Sequence, residues 1–448
     1  MCSATTCGAF IIFRSEFSPH TQDQGVHSLM KFALFILPTI PGTLAERREL
    51  RPIGRNRDRY QQMLKEVRDI AVLADDVGIE LMCTTEHHFH SEGFEVSVAP
   101  LVLYADLAAR TKRLKFAPLS LVIPAWDPIR LAEETAVLDH LTGGRFCVGL
   151  ARGYQDRWVN VLGQHYGVKG APMDGSPDDL ANRDVFEELI EVVKKAWTQD
   201  SWHHKGKHYE VPAPYETGIT RWPAWEMTKE YGAPGELDEN NVVRNISVVP
   251  APFQQPYPPI FQSFSMSPKT IEYAAKNSIV PFILKSYPPD FAALCDLYQK
   301  VAGENGRKMG LGQGIGCLRS VHFGKTEAEA ASLHLRTHYQ SFYDYFGGFG
   351  FWDAWRLPGD EKKYPMNPFT PLPKSEWTQD RMRKAKYSLV GTVDDIKRDI
   401  EELLRCHGDN GGNLEWFAWY FDQGLMSWDD ARRQLEIFAE HIIPEFGD

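Results

Sequence analysis

The sequence predicts an α/β chain folded as a (β/α)8 TIM barrel with two irregular insertions. Three observations predict it. From residue 31 onward, short apolar runs alternate with helix-like segments. The apolar runs are nearly continuous, as expected of strands buried on both faces of a parallel sheet. There are eight such runs, and eight right-handed repeats close most simply on themselves. A doubly wound open sheet is the rival arrangement.

The elements follow in order. Phe32 to Leu37 is a strand ended by Pro38. Tyr60 to Val77 carries apolar residues at helical spacing, and Gly78 suits its C-terminal cap. Ile79 to Thr84 is the second strand, Val98 to Ala109 a helix, and Leu114 to Ile123 the third strand, stopped by Pro124. Pro128 to Leu141 is a helix with proline at its start and Gly143-Gly144 at its end. Arg145 to Leu150 is the fourth strand and Asp184 to Trp197 a helix. Residues 200–247, rich in Trp, Pro, Gly and Glu, interrupt the pattern as an insertion. Alternation resumes with strands at Ile260 to Phe264, Ile279 to Leu284 and Gly314 to Phe323, separated by helices at Pro268 to Lys276 and Pro289 to Ala302. A helix from Glu327 to about Tyr345 leads into a second irregular stretch, 346–386. The helix Val393 to Arg405, the strand Leu414 to Tyr420 and the helix Trp428 to Ile442 complete one domain spanning residues 30–448. Residues 1–29 precede a second methionine, Met30, and are expected to be a poorly ordered extension.

Composition narrows the partners. Among 448 residues, Lys and Arg number 49 against 60 Asp and Glu, a net charge of −11, with no basic cluster. That argues against nucleic acid. No apolar run reaches the ~20 residues of a membrane span, and the N-terminus lacks the plan of a signal peptide. Seven cysteines, an odd number without a CxxC, fit a reduced, cytoplasmic compartment.

In a barrel of this kind, chemistry sits just after the C-terminal strand ends. After the second strand comes Glu86-His87-His88-Phe89-His90. Adjacent histidines in extended chain point to opposite sides, so one of His87 and His88 can face the mouth and exchange a proton there. After the fourth strand comes Arg152-Gly153-Tyr154, and after the fifth Met266-Ser267-Pro268-Lys269-Thr270 runs into a helix. Ser267, Thr270 and a helix N-terminus suit a phosphate, to which Arg152 could add a bidentate charge. The plainer alternative is that Ser267 only caps the helix and Arg152 pairs with a carboxylate. A metal site using Glu86, His88, His90 and Asp422 is a further alternative. No Walker motif or dinucleotide fingerprint occurs.

These residues resemble those of the bacterial luciferase-like flavin-dependent monooxygenases. The resemblance rests on Glu86-His87-His88-Phe89, on Val122-Ile123-Pro124 with Pro128-Ile129-Arg130-Leu131-Ala132-Glu133, and on Leu138 to Phe146. Gly149 to Tyr154, Ser267-Pro268 and Val390-Gly391-Thr392 add to it. It implies a barrel that binds reduced FMN (FMNH2) at its mouth and uses O2, through a flavin peroxide, to oxygenate an organic substrate, which the aromatic residues of the two irregular stretches suggest is small and apolar. It also implies catalytic roles for His87 and His88. The implied cofactor contacts are Arg152, Gly153, Tyr154, Met266, Ser267 and Thr270. A non-proline cis peptide, common in the family below the flavin ring, would fall at Leu119 and Ser120. Ala151 stands where luciferases proper have a reactive cysteine, so light emission is not implied. A separate NAD(P)H-dependent flavin reductase and a homodimer are expected. A deazaflavin-dependent hydride-transfer enzyme on the same barrel is the alternative, with a metal-dependent hydrolase behind it. The two irregular stretches are expected to cover the mouth, or else to form a subunit interface.

Overall fold

A computed structural model describes residues 30–367, 370–405 and 414–447. Residues 1–29, expected to form an extension, lie outside them. The described strands are all parallel around the main sheet: β1 Lys31–Ile36, β2 Leu81–Thr84, β3 Lys115–Pro118 resuming as Leu121–Val122, β4 Val148–Ala151, β5 Ile260–Ser265, β6 Val280–Ile283, β7 Gly316–Phe323 and β8 Trp416–Phe421. The neighbours run β3-β2-β1-β8-β7-β6-β5-β4, and the resumed half of β3 pairs β4 to close the ring. The predicted barrel is therefore present. Phe32, Leu34 and Ile36 of β1 pack outward against the helices, whereas Ala33 and Phe35 point inward. Small residues (Ala33, Cys83, Ala117, Ala418) and large ones (Phe35, Phe261, Phe282, Trp416) together fill the interior, so it is a packed core.

Several predicted elements need correction. The apolar run of the third strand predicts one continuous strand, but it breaks at Leu119–Ser120, whose peptide bond is cis as the resemblance implies. The helix expected from Asp184 starts at Pro177, capped by Ser176 Oγ with Asp178 and Asp179 in its first turn. A short helix, Asp156–Leu162, precedes it. The helix expected over Glu327 to Tyr345 contains a π turn at Leu335–Tyr339. A strand not predicted, Ser388–Gly391, pairs with the end of β7. Residues 200–247 hold a small hairpin and the helix Trp225–Tyr231. The described residues of the 346–386 stretch include short helical turns, whose Trp352 and Trp355 join the interior cluster. Among the described residues, no helix is long and apolar enough to cross a membrane.

Candidate functional site

A cavity opens where the C-terminal ends of β2 to β5 meet. Its lining contains Glu86, His87, Leu119, Ser120, Arg152, Gly153, Tyr154, Met266 and Thr270. Residues from four strand ends are thus brought together as the sequence predicts. His88 and Ser267, also expected there, are not part of the lining.

The loop after β2 is fixed by Glu86. Its buried carboxylate accepts from Val122 N at 2.8 Å, from Trp126 Nε1 at 3.0 Å and from His88 Nε2 at 3.0 Å. The first of these ties the loop to the resumed half of β3. With His88 held against Glu86 and packed beside Trp158, its ring is turned away from the cavity that His87 faces. Of the two adjacent histidines, then, His87 is the one at the mouth. Phe89 takes a left-handed backbone, φ 65°, which turns His90 back inward. His90 is buried against Gln155, Glu95 and Tyr345.

The side expected to take a phosphate is built from β4 and β5. Arg152 is half-buried, and its Nη1 donates to Asp179 Oδ1 at 2.5 Å. Burial pulls the guanidinium below its usual range, and Asp179 opposes that pull. Burial would raise the Asp179 carboxyl, but hydrogen bonds from Arg152 and from the Gly175 N–H outweigh it and hold the group low. Gly153 has φ 75°, and a Cβ there would stand 2.5 Å from Val122 Cγ1. Ser267 Oγ caps the helix Pro268–Lys276, accepting from Thr270 N at 3.3 Å, and lies 3.0 Å from Thr270 Oγ1. Both plain alternatives from the sequence, a capping serine and a paired arginine, are therefore present. They coexist with a cavity onto which Arg152 and Thr270 open.

Three further residues of the site, Gln262, Ser263 and Phe264, carry no signal in the sequence. Gln262 lines the cavity, and its buried Oε1 has no hydrogen-bond partner among the described residues. Ser263 Oγ lies 3.1 Å from Ser120 Oγ. Phe264 has φ 51°, a costly conformation for an aromatic residue and one that clusters at functional sites. Nor does the sequence place Met173 and Ala171, from the loop before the Pro177 helix, in the wall that they help to form.

The residues of the alternative metal site, Glu86, His88, His90 and Asp422, do not assemble. Asp422 gives one oxygen to His322 Nε2 and the other to His338 Nδ1, each at 2.9 Å, in a separate buried cluster. Glu86 and His88 pair with each other. Among the described residues, the potential ligand atoms that do converge belong to His87, His90 and Glu95. Of the two irregular stretches, 346–386 contributes Phe351 to the cavity and 200–247 contributes nothing. A wider surface groove beside the 200–247 stretch includes Glu188. That carboxylate is already engaged by the N–H groups of Lys207, His208 and Tyr209.

The buried imidazoles set an acid limit on stability. Burial pushes His90 down to about 4, against the opposing charge of Glu95. Burial lowers His322 and His334 as well. The unfolded chain binds these protons near pH 6.5 and the folded one only lower, so stability is fully present above about pH 6.5 and falls as pH drops toward 4. His90 alone should account for about 3 kcal/mol of that loss, at ~1.4 kcal/mol per pKa unit. Urea unfolding at pH 7 and pH 4 measures it. Equal unfolding free energies at the two pH values would contradict the burial argument.

The sequence matches the family described as luciferase-like monooxygenase over residues 30–409. It is 23% identical over 405 residues to the oxygenase component of a flavin-dependent trigonelline monooxygenase from Acinetobacter baylyi, covering 87% of this chain and 91% of that one. Among solved structures, the oxygenating constituent of 3,6-diketocamphane monooxygenase from Pseudomonas putida, in complex with FMN, aligns with a TM-score of 0.66 at 20% identity, over 93% of this chain and 99% of that one. A coenzyme F420-dependent tetrahydromethanopterin reductase from Methanopyrus kandleri aligns with a TM-score of 0.59 at 15% identity, over 93% and 99% of the two chains. These two likenesses establish the barrel.

Proposed function

This chain belongs to the luciferase-like monooxygenase family, and from that premise we propose that it is the oxygenase of a two-component, FMNH2-dependent system. It is a flavin-dependent monooxygenase. The reduced flavin comes from a separate NAD(P)H-dependent reductase, and the working form is a homodimer. The observation that carries this reading is one cavity joining an arginine and helix N-terminus on one side to an imidazole on the other.

The residues fit the cofactor. Arg152 and Thr270 suit a phosphate, with the helix dipole behind them. Gly153 leaves the space that a side chain would fill. The partnerless Oε1 of Gln262 calls for a donor, and the N–H of a flavin ring is one. Leu119 and Ser120 provide a floor from the broken strand. When bound, reduced FMN supplies the electrons that activate O2. The protein's part is to hold, exclude and transfer. Tyr154, Phe264, Phe351, Met173 and Trp158 wall the cavity with apolar surface, which keeps water out and favours a small apolar substrate. His87 exchanges a proton at the cavity face. His88 acts through Glu86, as a support for that loop.

Arg152→Ala tests the assignment. Loss of one or two charged hydrogen bonds, each about 1.5–3 kcal/mol, should weaken FMN binding by at least about tenfold and leave riboflavin binding unchanged. Fluorescence titration of both flavins reads this, and equal loss for both would contradict the phosphate role. Product formation with reduced FMN should require O2. Substrate turnover under strict anaerobiosis with a reduced deazaflavin would replace this reading with hydride transfer.

A further inference from the structure

The loop after β2 carries a second buried carboxylate, Glu95, that the chemistry above does not use. It lies eight residues beyond His87 in sequence. Phe89 and Glu95 both take left-handed backbone, φ 65° and 49°, so the chain doubles back and sets Glu95 against His87. Both side chains are buried.

The proton positions in this cluster follow from a donor that cannot accept. Trp158 Nε1 only donates, and it lies 3.0 Å from Gln155 Oε1. That oxygen is therefore the acceptor end of the amide. Gln155 Nε2 then donates to Glu95 Oε2 at 3.1 Å and to the Tyr154 hydroxyl at 3.1 Å. His90 Nε2 lies 2.8 Å from the same Gln155 Oε1, so it carries a proton. The neutral His90 ring has one proton, so its Nδ1 is bare and accepts the hydroxyl of Tyr345, at the foot of the 346–386 stretch. Burial raises the Tyr345 phenol and keeps that proton in place. His90 Nδ1 also stands 3.5 Å from Glu95 Oε2.

His87 completes the circuit. Its Nδ1 is 2.7 Å from Glu95 Oε1, close but off the line of a well-formed hydrogen bond. A carboxylate can only accept, and a bare Nδ1 at that distance would face it lone pair to lone pair. We propose that Glu95 is a positioning residue that keeps a proton on His87 Nδ1 and so presents Nε2 to the cavity as a proton acceptor. Gln155 holds Glu95 in that attitude through its Nε2 and anchors His90 through its Oε1, and His90 in turn takes the Tyr345 hydroxyl. The proton's place on the ring stands independently. Its use in turnover rests on the function proposed above.

The experiment is long-range 1H–15N correlation on flavin-free protein labelled with [15N]histidine, with the His87 signals identified by their absence in His87→Gln. The expected spectrum shows His87 protonated at Nδ1 and bare at Nε2. In Glu95→Gln, the amide can donate to Nδ1, and the proton is expected to move to Nε2. In that variant kcat should fall about tenfold or more with FMN affinity and KM little changed, and Glu95→Asp should recover part of the loss. A wild-type ring protonated at Nε2 would overturn the assignment, without any need for the variant to fold. A Glu95→Gln protein with wild-type tautomer and wild-type kcat would overturn it equally. If the protein fails to bind FMN but shows the expected tautomer, the functional reading falls and the positioning of His87 stands.

Discussion

Replacing His87 with alanine is expected to cut substrate oxygenation by about a hundredfold or more while FMN affinity stays within about threefold of wild type. General acid–base groups contribute about 10²- to 10⁴-fold to rates, and His87 is the imidazole that lines the cavity. Arg152 and Thr270, on the anion side, are untouched by the change. The contrast with His88 sharpens the test. His88→Ala removes one of several hydrogen bonds to Glu86, worth about 1 kcal/mol, so it should lower stability slightly and turnover only a few-fold. Steady-state product formation with a supply of reduced FMN measures both. Near-wild-type turnover in His87→Ala, or a larger loss in His88→Ala, would reverse the assignment of the two rings.

Gly149→Ala is expected to be the most damaging small substitution in the barrel. A Cβ on Gly149 of β4 would lie 1.8 Å from the Pro118 carbonyl oxygen and 2.9 Å from its carbon. These are backbone atoms of β3, at the point where that strand breaks to present Leu119 and Ser120 to the cavity. They cannot swing aside as a side chain would. Overpacking typically costs about 1–3 kcal/mol and sometimes more, and a collision with fixed backbone belongs at or above the upper end. Thermal unfolding should show a large drop in Tm or no soluble protein. Gly303→Ala is the control. Gly303 sits in the last turn of the helix Pro288–Glu304, and a methyl group added there would have nothing within 4 Å. Alanine at that position should be neutral or stabilising by up to about 1 kcal/mol. An unaffected Gly149→Ala protein would mean that β3 and β4 are free to move apart.

The barrel is legible because its strands are short apolar runs with both faces buried, and β1 through β8 leave that mark whatever their detailed pairing. The break in β3 is not legible in the apolar pattern, and only the family resemblance points to the cis peptide at Leu119 and Ser120. Leu119, Leu121 and Val122 continue the apolar run of Phe116 and Ala117, and Ser120 alone does not mark a break. The anion side can be read from Arg152 and Thr270, since charge and a helix start are local signals. Asp179 cannot be paired with Arg152 from spacing alone, although Ser176-Pro177-Asp178-Asp179 has the residue types of a helix start. His87 and His88 stand out as a pair, but which ring faces inward depends on Glu86 and Trp158, from different elements. Glu95 and Gln155 lie in loops without periodicity, and only the folded chain sets them beside the histidines. Asp422 reads as a lone late acid at the mouth until the fold supplies His322 and His338 to occupy it.

The Asp179 carboxylate already seated on Arg152 has a consequence for exchange. An incoming dianion does not meet a bare positive charge. It meets a neutralised pair and gains only the guanidinium N–H groups that Asp179 leaves over, so its tail is held by geometry more than by net attraction. On the two-component reading proposed above, in which the flavin arrives from another protein and leaves again each cycle, a grip of that kind favours ready release over long residence.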